Sequence, residues 1–312
     1  MQATNNILLI RPASFGFNSQ TETSNTFQKQ IAASETDIME KARAEFDAVA
    51  VQLKSKGINV IVFEDHEFPA KPDAVFPNNW ISFHPDGTVI LYPMQSSNRR
   101  PERRKDIIDT LGKEFIISRI LDLTGYEKEN KFLEGTGSIV FDHIHKLAYS
   151  CLSPRTDKDL FVQICSHLHY KPVYFRATSK EGKEIYHTNV MMCMGENLAV
   201  ICLESVTNEA ERKTVEQNII QTGRRLIEIS LTQMENFAGN MLELIAPGKK
   251  SILALSQSAM NNLTRKQKQQ IEAFCELLPL SIPTIETIGG GSARCMIAEI
   301  FLQRLNPGGV SE

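Results

Sequence analysis

Asn79-Trp80-Ile81-Ser82-Phe83, then Pro85-Asp86-Gly87, then Val89-Ile90-Leu91-Tyr92 reads as a strand, a tight turn and a second strand, because β-branched and aromatic runs flank a turn-forming triplet. A charged helix from about Pro101 to Leu111 and a strand over 115–120 follow. The same order then recurs. Residues 138–141, a turn near His143 to Lys146 and residues 147–151 lead to a helix over 157–169 and a strand over 172–175. Residues 189–194, Gly195-Glu196-Asn197 and residues 198–203 lead to a helix over 208–222 and a strand over 225–229. Residues 241–245, Pro247-Gly248 and residues 251–255 lead to a helix over 264–277 and a short strand over 283–287.

Asn79, Gly137, Asn189, Asn240 and Arg294 stand just before the successive first strands, separated by 58, 52, 51 and 54 positions. Units of hairpin, helix and strand at nearly constant spacing argue for one closed, pseudo-symmetric α/β domain over 1–312 rather than two unrelated ones. The starts of the inner strands then converge on one axis. Upstream, Ile7 to Ile10 form a strand that ends at Arg11-Pro12. The polar stretch Ser14 to Gln30 is a loop able to fold over something. Ser34 caps a helix running to Lys56, with Ile38, Ala42, Phe46, Val49 and Leu53 at helical spacing; a β-branched strand over 58–63 follows Gly57.

The composition narrows the partners. In 312 residues of 42% hydrophobic composition a net charge of −3, with both signs interleaved, leaves no basic face for nucleic acid. No apolar run approaches a membrane span. Six cysteines show no metal-ligand spacing, and the polar start shows no secretory leader. The expectation is a reduced, cytoplasmic protein with a small-molecule partner.

Convergence of the strand starts gathers Asn78, Asn79, Glu134, His187, Asn189, Asn240, Arg294 and Cys295. Singly, each has a bland role as a turn former, a cap or a bonded core group. Together they supply a thiol, an imidazole, a carboxylate and amides, the inventory for nucleophilic attack on a trigonal carbon. Gly289-Gly290-Gly291 would bring backbone close to a ligand and present Cys295 from a loop backed by Met296, Ile297 and Ile300. No Gly-x-Ser-x-Gly, P-loop or complete dinucleotide fingerprint is present, and His143-x-His145 lacks a third ligand.

Phe76-Pro77-Asn78-Asn79, Leu133-Glu134-Gly135-x-Gly137, Tyr186-His187-Thr188-Asn189, Gly239-Asn240-Met241-Leu242 and Gly289 to Met296, in that order along essentially the whole chain, resemble the guanidino-group-modifying enzymes of the pentein superfamily. Arginine deiminases, dimethylargininases and amidinotransferases make up that superfamily. The resemblance implies a five-bladed ββαβ propeller and covalent catalysis, with Cys295 matching the nucleophile, His187 the general acid/base and Glu134 the acidic residue. It implies no metal and no organic cofactor, and it allows a homodimer. A non-catalytic pentein is disfavoured because thiol, imidazole and carboxylate are all retained.

The departures bear on the substrate. Where deiminases carry guanidinium-clamping aspartates this chain has Asn79 and Asn189, and Gly137 replaces the last Asp of Glu-Gly-Gly-Asp. Amides both donate and accept, which suits a neutral ureido group better than a guanidinium. The chain looks like the citrulline-hydrolysing branch, whose reaction yields ornithine, ammonia and carbon dioxide. A deiminase, dimethylargininase or amidinotransferase acting on a charged guanidino substrate is the alternative. Asn78, Asn79 and Asn189 are the expected substrate contacts, with Arg11 and Arg294 the candidates for the substrate carboxylate. Glu134 is expected to be the one nearby anion, and His187, as imidazolium, to hold Cys295 as a thiolate.

Overall fold

The computed structural model describes residues 1–305 except 247 and 249, so Pro247 of the expected fourth turn lies outside the described residues. The chain begins with β1 (Asn6–Arg11), α1 (Glu35–Ser55) and β2 (Asn59–Glu64). The next unit is β3 (Ile81–Phe83), β4 (Thr88–Leu91), α2 (Lys105–Leu111) and β5 (Arg119–Asp122). Then come α3 (Gly135–Ser138), β6 (Ile139–Asp142), β7 (Leu147–Cys151), α4 (Lys158–Leu168) and β8 (Lys171–Phe175). The fourth stretch is β9 (Met192–Met194), β10 (Leu198–Ile201), α5 (Glu209–Gln221), β11 (Arg225–Glu228) and α6 (Leu231–Glu235). Last are β12 (Leu242–Leu244), β13 (Ile252–Ser256), α7 (Gln257–Asn262), α8 (Arg265–Glu272), β14 (Glu276–Leu280) and β15 (Ala298–Glu299).

These strands make five three-stranded sheets, β3-β4-β5, β6-β7-β8, β9-β10-β11, β12-β13-β14 and β15-β1-β2. In each, the first strand is antiparallel to the second and the second parallel to the third. The repeat read from the sequence is therefore present, and the fifth sheet joins the two ends of the chain. β15 pairs with β1 through Ile7↔Glu299 and Leu8↔Ala298, which closes the ring without leaving a free terminal strand. Middle strands β7, β10 and β13 are buried along their whole length, while third strands such as β8 expose alternate residues. That contrast explains why the middle strands read as unbroken apolar runs.

Helices cover the sheets and follow their caps. Ser34 accepts the amide of Asp37 and the five apolar residues named above are buried on one face of α1. Asp157 caps α4 and Asn208 caps α5 in the same way.

The last repeat departs from expectation. The helix expected over 264–277 ends at Glu272, and the third strand is Glu276–Leu280, not 283–287. Leu277, Leu278 and Leu280 fit a helical face as well as a strand, and only parallel pairing with Ile252–Ser256 decides between them. Pro279 is tolerated because this strand lies at the sheet edge. Residues 285–289 form a π-helical turn instead. In the first repeat the third strand is likewise displaced, from 115–120 to 119–122.

Candidate active site

Short turns precede the inner strands. Pro77–Asn79 precedes β3, α3 precedes β6, and Thr188–Val190 precedes β9. A turn closed by Cys295 N donating to the Ser292 carbonyl (2.9 Å) precedes β15. The turns meet at one end of the axis. A Cβ on Gly137 would lie 2.4 Å from Asn79 Nδ2 and 2.8 Å from His187 Nδ1, so no side chain, least of all aspartate, fits between them. Asn240 ties two more repeats together, donating from Nδ2 to the Asn189 carbonyl (2.8 Å) and accepting at Oδ1 from Arg294 N (3.0 Å).

Cys295, His187, Glu134, Asn79 and Asn189 are thus brought to one place, all nearly or wholly buried. The Cys295 thiol sulfur faces two amide donors, Asn240 Nδ2 at 3.3 Å and Asn189 Nδ2 at 3.5 Å. His187 Nε2 bonds Glu134 Oε2 at 2.8 Å, and the other Glu134 oxygen accepts from Gln95 N at 3.0 Å. Asn79 Oδ1 accepts from Arg99 Nη1 (2.9 Å), which turns its Nδ2 toward the cavity without a protein partner. Asn189 Oδ1 and both side-chain atoms of Asn78 are likewise buried and unpaired. Buried polar groups are ordinarily satisfied, so this concentration marks a place built for a ligand.

Burial pushes the Glu134 carboxyl up, but Arg155, the His187 bond and Arg99 outweigh it and hold the group down at about 2. Burial pulls His187 down to about 4, and Glu134 restores only part of its basicity. Burial raises the Cys295 thiol, against the Ser292, Asn240, Arg294 and Asn189 contacts that lower it. Burial thus works against the expected thiolate–imidazolium pair from both sides, raising the thiol and lowering the imidazole. The ionised Glu134 can only accept, so His187 Nε2 carries the proton and Nδ1 presents a lone pair.

Two expected contacts lie elsewhere. Arg11 bonds Asp47 of α1 and Glu64 of β2, where its guanidinium is engaged in a partly exposed ion pair. The Arg294 guanidinium turns away from Cys295 to the Ile297 carbonyl and to Glu299 Oε2 (2.9 and 2.8 Å). The cations that line the cavity are Arg99 and Arg155. Glu134 is not the lone carboxyl either: Asp73 lines the same cavity, with Oδ2 bonded by Asn18 Nδ2 (2.7 Å) and 3.6 Å from Arg99 Nε, Oδ1 unpaired, and burial raising its pKa. Arg99 is held by Glu102 (2.8 Å), and Arg155 lies over the Tyr186 ring. Asp73 stands three residues before Phe76, and Arg155 follows the end of β7. Nothing local in the sequence sets either apart from a surface charge.

The 14–30 loop covers the cavity. Asn25 Nδ2 donates to the Gly289 carbonyl (3.1 Å), Lys29 N to that of Thr287 (2.6 Å), and Ser24 Oγ accepts from Arg155 (2.6 Å). Gly290, at φ +65°, lets the loop approach: a Cβ there would come within 2.5 Å of Gln28 N. Among the described residues no group of three or more His, Cys, Asp or Glu is placed to hold a metal ion, and no helix is long and apolar enough to cross a membrane.

A ring of five ββαβ units with a cysteine, a histidine and a carboxylate at the converging strand starts defines the pentein class of guanidino-modifying enzymes. Residues 11–302 match the family model described as N,N dimethylarginine dimethylhydrolase, eukaryotic, and the chain belongs to that family. It is a hydrolase of carbon–nitrogen bonds in arginine-related compounds. Among solved structures, the N-terminal domain of a variant of ArgZ, covalently bound to a reaction intermediate, superposes with a TM-score of 0.74 at 16% identity, covering 95% of this chain and 97% of that one. The apo structure of ArgZ, an arginine dihydrolase of cyanobacteria, gives 0.72 at 17% identity, covering 97% of this chain and 41% of that one. A variant of the Pseudomonas aeruginosa dimethylargininase complexed with citrulline gives 0.66 at 15% identity, covering 96% and 100%. No curated protein matches the sequence.

Proposed function

We propose that this chain, as a single catalytic domain, hydrolyses citrulline to ornithine, ammonia and carbon dioxide, in the reduced setting that six free thiols fit. The observation that carries the reading is the unpaired amide pair: Asn79 Nδ2 is a donor for a ureido oxygen, and Asn189 Oδ1 an acceptor for a ureido N–H. Arg99 and Arg155 are cations for the substrate carboxylate, and Asp73 is a carboxylate for its ammonium.

In the bound complex His187 Nδ1 takes the Cys295 proton as Sγ bonds the ureido carbon and the C=O pair moves onto oxygen. Asn79 Nδ2 stabilises that oxyanion, and Asn240 and Asn189 stabilise the sulfur while it is charged. Collapse breaks a C–N bond, the amine leaving with the proton from His187. Water, deprotonated by His187, then cleaves the thiocarbamoyl ester; the proton returns to the sulfur of Cys295, and the carbamic acid released breaks its remaining C–N bond to give ammonia and carbon dioxide. Glu134 holds the Nε2–H of His187 throughout, while Nδ1 alternates between free and protonated.

The competing reading is a charged guanidino substrate, which would need Asp73 to face the guanidinium and not the ammonium. Ammonia release and product identity from citrulline, arginine, dimethylarginine and agmatine decide between the two. Citrulline should have the highest kcat/KM. Asn79→Asp should lower the citrulline-to-arginine ratio by about 10-fold or more, because a desolvated carboxylate prefers a cation by a few kcal/mol. A wild-type ratio below one, or a ratio that rises with aspartate, returns the protein to guanidino chemistry.

A further inference from the structure

We propose that Glu286 is a positioning residue for Cys295, acting through Ser292; the proposal rests on the reading of Cys295 as nucleophile. Glu286 lies in the π-helical turn Ile285–Gly289 that feeds the glycine run, an irregularity found disproportionately at functional sites. It holds that run twice. Its carbonyl accepts from Gly290 N (2.9 Å), and its Oε1 accepts from Ser292 Oγ (2.5 Å). The Ser292 carbonyl in turn accepts from Cys295 N (2.9 Å) and Met296 N (3.3 Å). A stretch of three glycines has more freedom to lose than any other, and one side chain fixes where it ends and the turn bearing the thiol begins.

The carboxyl is a costly choice for a purely structural tie. Glu286 is 6% exposed, and the groups acting on its charge are the Ser256 and Ser292 hydroxyls and the Glu45 carboxylate, none of them a cation. Burial pushes it up to about 7. Its other face borders a surface cleft with Lys29, Lys183, Glu181 and Glu235, outside the catalytic cavity. Glu286 is therefore coupled to the nucleophile without lining the site.

The test compares Glu286→Ala, Glu286→Gln, Ser292→Ala and the double alanine variant. Readouts are kcat, KM and the rate at which iodoacetamide labels Cys295, followed by mass spectrometry. Glu286→Ala should lower kcat about 10-fold while KM stays within about 2-fold, as expected when a reacting group is misplaced by less than an ångström, and should change the labelling rate comparably. Glu286→Gln, whose amide oxygen still accepts from Ser292, should recover to within about 3-fold of wild type. The double variant should be no worse than the poorer single one, because both cut the same chain of contacts. Unchanged kcat and labelling in Glu286→Ala, a glutamine variant as poor as alanine, or additive losses would each overturn the proposal. If Glu286→Ala does not fold, Ser292→Ala alone decides, and wild-type kcat and labelling in it overturn the proposal. Labelling needs no substrate, so wild type inactive on citrulline but with labelling that shifts on substitution would sink the citrulline reading and leave the positioning role standing.

Discussion

Arg294 and Cys295 are neighbours in the chain and serve opposite ends of its axis. The thiol of Cys295 enters the cavity at the strand starts, whereas Arg294 reaches Glu299 farther along the axis, beside Phe141 of β6 and Met194 of β9. Unpaired polar atoms are concentrated at the near end, although His84 Nδ1, beside Phe141 and Glu299, is also buried without a partner. At the far end Asp142 is paired by Arg224 through both oxygens (2.6 and 2.9 Å) and Arg294 by Glu299. At the near end Asn78, Asn79, Asn189 and Asp73 keep buried atoms without partners. A fold gains nothing from orphaned donors and acceptors, each of which costs about 1–3 kcal/mol, so the near end is where stability is given up for binding.

The largest expected effect breaks the near end alone. Cys295→Ser should reduce ammonia release by at least about 10⁴-fold with a melting temperature close to wild type. Retained turnover would remove the covalent mechanism. Alanine at Cys151, Cys165, Cys193, Cys202 or Cys275, all buried, should instead move the melting temperature and leave kcat near wild type.

Next is His187→Ala, expected to lower kcat by about 10² to 10⁴-fold. The burial of the thiol sharpens this test. With the thiol raised by burial, iodoacetamide labelling of free Cys295 should keep rising with pH beyond the range of an ordinary thiol, because the thiolate is the nucleophile. A labelling rate already flat above pH 6 would restore a resting ion pair.

The two arginines at the cavity and the two outside it make a quieter contrast. Arg155→Met should raise KM for citrulline by about 10-fold or more, a lost charge-assisted contact being worth about 1.5–3 kcal/mol, whereas Arg294→Met should act first on stability, leaving Glu299 unpaired. Equal KM effects would mean that the substrate carboxylate is bound elsewhere. Arg11→Ala is expected to do least: its ion pair with Asp47 is partly exposed, so a loss of about 0.2–1 kcal/mol in unfolding free energy and an unchanged KM should follow. A rise in KM would place Arg11 back in the site.

How much of this was legible in the chain follows from the range of the forces involved. Local patterns sufficed where one element declares itself: the Ser34 cap, the alternation of hairpin and helix, and the near-constant spacing that implies a closed ring. They also brought Cys295, His187, Glu134, Asn79 and Asn189 to one axis, because pseudo-symmetry turns a position in a repeat into a position in space. What local pattern could not decide was settled by contacts far apart in sequence. Leu277 to Leu280 became a strand only by pairing with β13. Arg294 turned away because Glu299 lies within reach on the far side, and Arg11 because Asp47 and Glu64 do. Asp73, Arg99 and Arg155 entered the cavity from two irregular segments and a short 3₁₀ helix whose composition is that of any surface. The upward shift of Cys295 and the downward shift of His187 come first from burial, a property of the assembled cavity that no residue carries by itself.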